Sequence, residues 1–187
     1  MTAFTRQAII QSFVKLLNEK PLNKITVKNI VEDCGINRNS FYYHFADIPT
    51  LVEEILKTEV DRIMSEQREL DTLPECLEVA LDFALKNKNA AMHLYHSGSR
   101  ETFEQYLIRI ASYCADVFVS DVAKGCQFYG QDRQIIINHY RNVIIGTTLA
   151  WMEDGMKPGL MDEMKRFCEL FEGATLTAIA RSAAKIS

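Results

Sequence analysis

The stretch "ITVKNIVEDCGINRNSFYYHF", residues 25–45, contains two short helical patterns separated by a glycine. Apolar residues recur at helical spacing from Val27 to Cys34, and Thr26 precedes them in the position of a helix N-cap. Gly35 then offers the left-handed backbone conformation that a sharp turn requires. The stretch therefore predicts a short helix that ends in a tight turn.

A second short helix is predicted after this turn, with Asn37 as its N-cap. Phe41 and Phe45 lie four residues apart, so both rings are expected to face the protein interior. The neighbouring positions then face mainly outward, which gives the four aromatic rings two different faces. The residues predicted to point outward are Arg38, Asn39, Tyr42 and Tyr43.

An amphipathic helix is predicted upstream over residues 5–19, capped by Thr5 and ended by Pro21. Three helices with a tight glycine turn between the second and third describe a helix-turn-helix unit. In such a unit the last helix enters the major groove of DNA. Nucleic-acid binding is therefore the first functional hypothesis.

The composition favours an all-α fold for the whole chain of 187 residues, because it has only 8 glycines and 4 prolines and no long alternating apolar and polar run. We predict a DNA-binding domain over residues 1–46, which we call the head, and a larger effector-binding and dimerisation domain over residues 47–187. A connecting helix, capped by Asp47, is expected to run over about residues 47–69. Further helices are predicted at residues 75–88, 90–97, 99–124, 132–154 and 160–184.

Charge is distributed unevenly along the chain. The head holds six basic and three acidic residues, which gives it a net charge of +3. Since the whole chain has a net charge of −4, the remaining residues carry a net charge of −7. A basic segment attached to an acidic one suggests that the basic segment alone meets a polyanion such as DNA.

The residue types around the turn suit a DNA interface. Arg38 could donate two hydrogen bonds to guanine, Asn39 could read adenine, and Ser40 could contact a base or a phosphate. Thr26 and Lys28 open the supporting helix, where a hydroxyl, a backbone N–H and an ammonium group could meet phosphate. The remaining candidates, which could hold the backbone or touch a thymine methyl, are Tyr42, Tyr43 and His44.

The segment "TVKNIVEDCGINRNSFYYHFADIPTLVEEIL" resembles the DNA-binding region of the TetR family of bacterial transcriptional regulators, over about residues 5–56. The resemblance implies an all-helical homodimer with a small DNA-binding head and a C-terminal domain that binds an effector. It also implies a repressor that leaves a palindromic operator when a small molecule binds. The segment "GTTLAWMEDGMKP" is more loosely similar to the penultimate helix of some members, which would place the helices at 132–154 and 160–184 in the dimer interface.

One departure from the family pattern keeps a second hypothesis open. Many relatives have lysines just after the "HF" motif to hold phosphate, whereas this chain has Ala46 and Ile48 there. The missing contacts could come from Lys24, Lys28 or the N-terminus. Alternatively, the fold could act as a protein-binding co-activator without effective DNA binding, and the outward tyrosines could be a solvated face.

Aromatic and thioether side chains in the C-terminal domain could form the wall of an effector pocket, with hydroxyl groups to orient the ligand. They could equally be ordinary core residues. The candidates are Tyr95, Tyr106, Tyr113, Phe118, Trp151 and Met152.

Other classes of function find little support. No nucleophile-and-base pair, phosphate-binding glycine loop or paired carboxylate is visible, so we expect no enzyme and no cofactor. His93 and His96 have the spacing of metal ligands but lack a third, so a surface or pocket-lining pair is the simpler interpretation. The five scattered cysteines suggest reduced, mostly buried thiols, with a redox sensor as the alternative. Without a leader or a membrane-spanning run, a cytoplasmic protein is expected.

Overall fold

The computed structural model describes residues 2–66, 73–126, 129–171 and 173–184. These residues form ten α-helices and one short 3-10 helix, and they contain no strand, which confirms the predicted all-α class. The helices are α1 (Thr2–Glu19), the 3-10 helix (Leu22–Lys24), α2 (Val27–Cys34), α3 (Arg38–His44), α4 (Ile48–Glu66), α5 (Leu73–Lys86), α6 (Lys88–Tyr95), α7 (Arg100–Val122), α8 (Gly130–Glu153), α9 (Leu160–Leu170) and α10 (Ala174–Ala183).

The chain divides into two compact units. Unit 1 consists of residues 1–61 and 84–106, and unit 2 consists of residues 62–83 and 107–187. Unit 1 thus contains α1 to α3, most of α4, and α6. The predicted boundary between the head and the rest of the chain, at residue 46, stays a prediction.

The core of unit 1 is built from the apolar faces of α1 to α4 and α6. Fully buried side chains come from each of the first four helices, among them Ile9, Ile30, Phe41 and Leu51. Ala90 and Leu94 of α6 belong to the same apolar cluster. Burial of such side chains contributes about 1.5–3 kcal/mol each, so this cluster fixes how the three helices of the head pack.

The core of unit 2 takes buried side chains from the end of α4, from α5 and from α7 to α10. The last four of these helices contribute, one from each, Val119, Ile144, Met164 and Ile179. Buried hydroxyl groups complement this core, because the backbone N–H of Tyr129 donates to Oγ of Ser182 at 3.0 Å.

Two sequence predictions about helix ends are wrong. Thr5 does not cap α1, because that helix begins at Thr2. The single helix predicted over residues 160–184 is two helices, since the chain turns at Gly173, whose φ is 79°. An apolar periodicity continues on both sides of the turn, so the pattern alone did not reveal the break. The predicted end of the connecting helix, near residue 69, lies outside the described residues.

Candidate nucleic-acid interface

The turn between α2 and α3 is fixed by local hydrogen bonds at both helix ends. The Thr26 hydroxyl accepts from the backbone N–H of Asn29 at 3.2 Å, and the Asn29 side chain accepts from the backbone N–H of Thr26 at 3.1 Å. Gly35 ends α2 at φ 69° and ψ 30°. Oδ1 of Asn37 then accepts from the backbone N–H of Ser40 at 2.8 Å, which begins α3. The predicted capping roles of Thr26 and Asn37 are confirmed.

The aromatic rings of α3 divide between two faces as the sequence predicts. Phe41 and Phe45 are 0% and 1% exposed, whereas Tyr42 and Tyr43 are 55% and 75% exposed. The Phe41 and Tyr42 rings meet edge to face, with centroids 5.5 Å apart. The buried ring therefore supports the exposed one, and it presents the tyrosine hydroxyl outside the core.

The first turn of α3 presents polar side chains to the outside. Arg38 and Asn39 are both exposed. Within the described part of the chain, the Arg38 guanidinium group has no ion-pair partner. Ser40 is half-buried, and its hydroxyl group donates to Oδ1 of Asn37 at 3.1 Å. Arg38 and Asn39 are thus available to a ligand, while the Ser40 proton is held by the cap.

Half of the basic groups in the head are paired with carboxylates. Arg6 donates to Glu54 at 2.8 Å, and Lys28 lies 3.7 Å from Glu32 on the next turn of α2. The third pair joins Lys15 to Asp33 at 2.5 Å. The other basic groups of the head, which have no ion pair among the described residues, are Lys20, Lys24 and Arg38.

The pair between Lys15 and Asp33 also changes the proton affinity of both groups. The hydrogen bond to Asp33 raises the pKa of Lys15, and the same hydrogen bond lowers the pKa of Asp33. Both groups therefore keep their charges over a wider pH range. The pair joins α1 to the end of α2 and so helps to hold the helix-turn-helix in place.

The structure assigns Thr26 a second hydrogen bond within its own cap, because its hydroxyl group donates to Oδ1 of Asn29 at 3.0 Å. Lys28 is exposed beside it. His44 is half-buried and meets the Tyr43 ring edge to face at 5.1 Å. Thr26 thus acts within the fold as a cap, and its contact to DNA stays a prediction, as do those of the other candidates.

Two residues of this region escaped the sequence analysis. Asn29 completes the capping box with Thr26, and its position three residues after a threonine was a usable signal. The sequence analysis counted Arg6 among the basic residues that could attract DNA. In the structure its guanidinium group donates to Glu54 and lies 5.7 Å from the centroid of the Phe45 ring. No local signal identifies this role, since Glu54 is 48 positions away.

The start of α4 carries no ammonium group. Ala46 is exposed, and Ile48 packs against the core of unit 1. Asp47 caps the helix as predicted, because its Oδ1 accepts from the backbone N–H of Thr50 at 2.8 Å. This hydrogen bond lowers the pKa of Asp47, so the cap stays charged at neutral pH.

The six candidates for an effector pocket fall in both units. Tyr95 and Tyr106 belong to unit 1, where the Arg100 guanidinium group lies 4.2 Å from the Tyr95 ring centroid and Tyr106 packs against the core. The other four belong to unit 2. Their role in binding a ligand stays a prediction for all six.

In unit 2, two of these candidates are buried and two are half-buried. Nε1 of Trp151 donates to the backbone oxygen of Lys157 at 2.6 Å, and Met152 is also buried. The hydroxyl group of Tyr113 donates to the backbone oxygen of Met64 at 3.1 Å. Phe118 meets the Tyr140 ring at 4.7 Å.

The remaining candidates are a metal site at His93 and His96 and the cysteine thiols. No group of three or more potential metal ligands occurs among the described residues, and His93 instead contacts a backbone oxygen of α1. Cys34 and Cys168 are free, and desolvation raises the pKa of both thiols, which keeps them protonated. Within the described ranges, no helix is both long and apolar enough to cross a bilayer.

Comparisons with known proteins agree with this geometry. Residues 9–55 match the family model described as bacterial regulatory proteins of the tetR family. Residues 71–173, more than half of the chain, match a model described as the C-terminal region of a transcriptional regulator, TetR_C_8. Both parts of the chain therefore point to one family.

Individual proteins are similar to this chain in sequence or in fold. The nucleoid occlusion factor SlmA of Idiomarina loihiensis is 24% identical over 150 residues, which cover 71% of this chain and 76% of SlmA. The dihydroxyacetone kinase operon activator DhaS has the same fold, with a TM-score of 0.76, 16% identity and coverage of 96% of this chain and 98% of DhaS. The fatty acid degradation regulator FadR of Bacillus halodurans superposes with a TM-score of 0.56 and 18% identity, over 88% of this chain and 93% of FadR. This chain belongs to the TetR family and is a transcriptional regulator, not an enzyme, with an N-terminal helix-turn-helix DNA-binding domain.

Proposed function

We propose that this protein is a cytoplasmic, homodimeric repressor that binds a palindromic DNA operator through α2 and α3 and is released by a small-molecule effector. The observation that carries the DNA-binding part is the exposed face of α3. Arg38, Asn39, Tyr42 and Tyr43 project from a helix whose other side is locked into the core of unit 1. A rigid helix with an arginine and an asparagine at its start suits readout of the major groove.

Electrostatics adds to this support. Lys24 and Arg38 stand on either side of α2 in the sequence, are exposed, and have no ion pair within the described chain. Unpaired cations near the recognition helix would release counterions from DNA phosphates, so binding should weaken steeply as salt increases. Lys28 is tied only loosely to Glu32, at 3.7 Å, and could exchange that partner for a phosphate.

The test is a binding titration with duplexes recovered from genomic fragments that the wild-type protein retains. Arg38→Ala should weaken binding to the recovered operator by roughly 5- to 150-fold, since a two-hydrogen-bond base contact contributes about 1–3 kcal/mol. Tyr42→Ala should also weaken it. Arg109→Ala is the matched control, because it removes an exposed arginine from α7 in unit 2, outside the helices proposed for the dimer. Unchanged operator binding in both head variants would reject the assignment.

The homodimer is proposed from the exposed apolar side chains of α8 and α10. Ile135 on α8 and Leu176 on α10 are 65% and 51% exposed. Along α8 the exposed positions recur at helical spacing, and most of them are apolar, small or neutral. From Ile135 to the end of α8, these positions are Ile135, His139, Asn142, Gly146, Ala150 and Glu153.

A second copy of the chain would cover this face and place two α3 helices on successive major-groove turns, about 34 to 36 Å apart. Sedimentation at micromolar concentration should then give a dimer. Ile135→Glu and Leu176→Glu should each dissociate it, whereas Ile108→Glu should not, because Ile108 is an exposed apolar residue of α7. A wild-type protein that sediments as a monomer would contradict the proposal.

The effector is proposed to bind among the aromatic side chains of the C-terminal domain. Half-buried Tyr113 and Phe118 could move aside for a ligand more easily than buried Met152. Trp151 is the single tryptophan of the chain, so its fluorescence reports on this region alone. A compound that shifts this fluorescence should also weaken operator binding, and one that shifts it without any effect on DNA would count against release by an effector.

The start of α4, which has no lysine, favours a second candidate function. Exposed Ala46 and packed Ile48 offer no phosphate contact, and DhaS, whose fold is similar, is named as an operon activator. This chain could likewise act as a co-activator that docks on another protein. Affinity for random duplex DNA separates the two functions, because a flat response to salt would favour the protein-binding one.

A further inference from the structure

Four exposed positions of α8 have a spacing that is the same in both chain directions. Ile135, His139, Asn142 and Gly146, which we call the α8 face, follow each other at steps of four, three and four residues. Such steps keep side chains on one side of a helix and recur where two helices pair. A second α8 that runs in the opposite direction presents the same steps to the first. The spacing therefore suits contact between two antiparallel copies of this helix.

The α8 face contains no aspartate, glutamate, lysine or arginine. Ala150 extends the exposed row by one further turn, and the first acidic residue of this row, Glu153, lies at the end of the helix. Two copies of the face can therefore meet without repulsion between like charges and without the desolvation of an ion. This absence of charge favours a second copy of the chain as the partner over a charged molecule.

The two ends of the α8 face differ in size. Ile135 is 65% exposed, whereas Gly146 has no side chain. A Cβ atom at Gly146 would meet nothing within 4 Å in the protomer, so the space above this glycine is open. In an antiparallel pair, Ile135 of each subunit can fill the space above Gly146 of the partner subunit. The ends of the face are thus complementary in shape to each other.

The two polar residues at the centre of the α8 face are complementary in hydrogen bonding. Oδ1 of Asn142 accepts from Nε and Nη2 of Arg141 at 3.3 and 3.2 Å, while its Nδ2 donates to no group among the described residues. His139 meets the Tyr140 ring edge to face at 5.3 Å, and within the described chain it makes no hydrogen bond or ion pair. A neutral imidazole has one acceptor nitrogen. The Nδ2 group of Asn142 can donate to this nitrogen in a partner subunit.

A single register satisfies both pairs. In a two-fold symmetric contact, if one position opposes a second, the second opposes the first in the other half of the contact. The midpoint between Ile135 and Gly146 coincides with the midpoint between His139 and Asn142. One two-fold axis at this point therefore brings the isoleucine over the glycine and the histidine beside the asparagine. A parallel pair would instead oppose each residue to its own copy and leave a gap between the two glycines.

Helix α10 adds an apolar edge near the same midpoint. Thr175 of α10 contacts the hydroxyl group of Tyr140, which lies at the centre of the α8 face in the sequence. Leu176 follows Thr175 directly and is 51% exposed. It would shield the central hydrogen bond of the dimer from water, as the residues around the polar contacts of an interface do.

We propose that two copies of α8 pair antiparallel in this one register, with Ile135 over Gly146 of the partner subunit and His139 bonded to Asn142 of the partner subunit. The inference rests on the proposed homodimer and adds to it the residues that select the partner. A regulator of the same fold without this pattern would leave the histidine or the asparagine unpaired, which costs free energy. The α8 face therefore selects a second copy of this chain over other members of the family.

Complementary charges test the central pair in the full-length protein. His139→Glu and Asn142→Lys should each weaken the homodimer about 30-fold, because each places two unpaired charges in the interface. An equal mixture of the two variants should form a mixed dimer about tenfold tighter than either homodimer, since the introduced carboxylate then opposes the introduced ammonium group. Sedimentation over a range of concentrations measures these affinities, and a tag on one variant identifies the mixed dimer.

The matched control is a mixture of Ala150→Glu and Asn142→Lys. Ala150 belongs to the same exposed row of α8, but in the proposed register it lies about 16 Å along the helix from the position that opposes Asn142 of the partner subunit. The control mixture should therefore associate no more tightly than its two components.

A change in size tests the second pair. Gly146→Leu should weaken the dimer about tenfold, because the new side chain occupies the space of Ile135 of the partner subunit. It should not destabilise the protomer, since a Cβ atom meets nothing there and leucine forms helices better than glycine. Ala150→Leu is the control, because it adds a similar side chain one turn further along, outside both pairs. It should leave the affinity of the dimer unchanged.

The outcomes separate the two proposals. A wild-type protein that is monomeric rejects the homodimer itself. A wild-type dimer overturns the register, and leaves the homodimer intact, if the mixture of His139→Glu and Asn142→Lys associates no more tightly than the control mixture. Equal dimer affinity of Gly146→Leu and the wild type overturns the register as well. All the substituted positions are exposed in the protomer, so the variants should fold. Because the two tests use different variants, each stands without the other.

Discussion

The helices of the helix-turn-helix and the helices of unit 2 are specified in different ways. Helices α2 and α3 have only 8 and 7 residues, yet each begins with a side-chain cap. Helices α8, α9 and α10 are longer, and none has a side-chain hydrogen bond at its N-cap. Short helices gain little from propagation, so those of the head depend on local caps. The longer ones depend on packing.

The two surfaces that we propose for binding also expose different apolar groups, although Phe4 of α1 and Tyr129 of unit 2 are exposed as well. The head exposes the tyrosine rings of α3, whose hydroxyl groups remain useful in a wet interface. Unit 2 exposes Ile135 and Leu176, which have no polar atoms in their side chains. A polar, hydrated partner such as DNA suits the first surface, and an apolar partner such as a second subunit suits the second.

The largest effect should come from the core of the head. Phe41→Ala should lower the free energy of unfolding by about 3–5 kcal/mol, because it leaves a cavity under three helices. Tyr43→Ala, two residues away on the exposed face, should change stability by less than about 0.5 kcal/mol but weaken DNA binding. Urea denaturation and a binding titration check both expectations. Similar losses of unfolding free energy in the two variants would contradict the assignment of Phe41 to the buried face of α3 and Tyr43 to the exposed face.

The corresponding test of packing in unit 2 is Tyr140→Phe. The Tyr140 hydroxyl group contacts the hydroxyl group of Thr175, which joins α8 to α10 within the core. Its removal should cost about 1–3 kcal/mol of unfolding free energy, because the buried Thr175 hydroxyl loses its partner. Tyr129→Phe is the control, since Tyr129 is exposed. Equal thermal stability of the two variants would mean that this contact does not hold α10.

Substitution of one glycine in each region should change the free energy of unfolding by a smaller amount. A Cβ atom would meet nothing within 4 Å at either Gly35 or Gly146, so only the backbone conformation differs. Gly35→Ala should destabilise the fold by about 1–2 kcal/mol, because alanine resists a φ of 69°. Gly146→Ala should stabilise it by about 0.5–1 kcal/mol, since the position is helical.

Both glycine variants should be measured by urea denaturation in the Ile135→Glu background, so that association does not enter the comparison. If both variants changed the free energy of unfolding in the same direction, the backbone conformation of Gly35 would not be what makes the turn require a glycine.

The smallest effect should be the pH dependence of the α4 cap. The hydrogen bond from Thr50 lowers the pKa of Asp47 below its ordinary value of 3.8. A lowered pKa in the folded state stabilises the protein above pH 3.8, and this contribution is lost as the pH falls through the folded-state pKa. Asp47→Asn should therefore lose less stability between pH 6 and pH 3 than the wild type. The free energy of unfolding would be measured by urea denaturation at each pH. The same pH dependence in both proteins would show that the cap contributes nothing measurable.

Local signals explain why the caps, the turn and the two faces of α3 were predicted better than the rest of the chain. Thr26, Gly35 and Asn37 act on groups within three or four residues, so the sequence alone shows their roles. The division of the rings of α3 follows from helical spacing in the same way. The pairing of Arg6 with Glu54 and the break at Gly173 could not be predicted, because the first joins distant positions and the second lies within a continuous apolar pattern.

The sequence by itself determined the helical class, the helix-turn-helix and the family, because caps, turns and periodicity are local properties of the chain. The tertiary structure alone decided that Arg6 and Lys15 of the head pair with Glu54 and Asp33, and that Asn18 of α1 accepts a hydrogen bond from the first turn of α6 across 72 positions. The physical reason is that hydrogen bonds and ion pairs between distant residues depend on distance and direction in space, and these exist only once the apolar faces have packed.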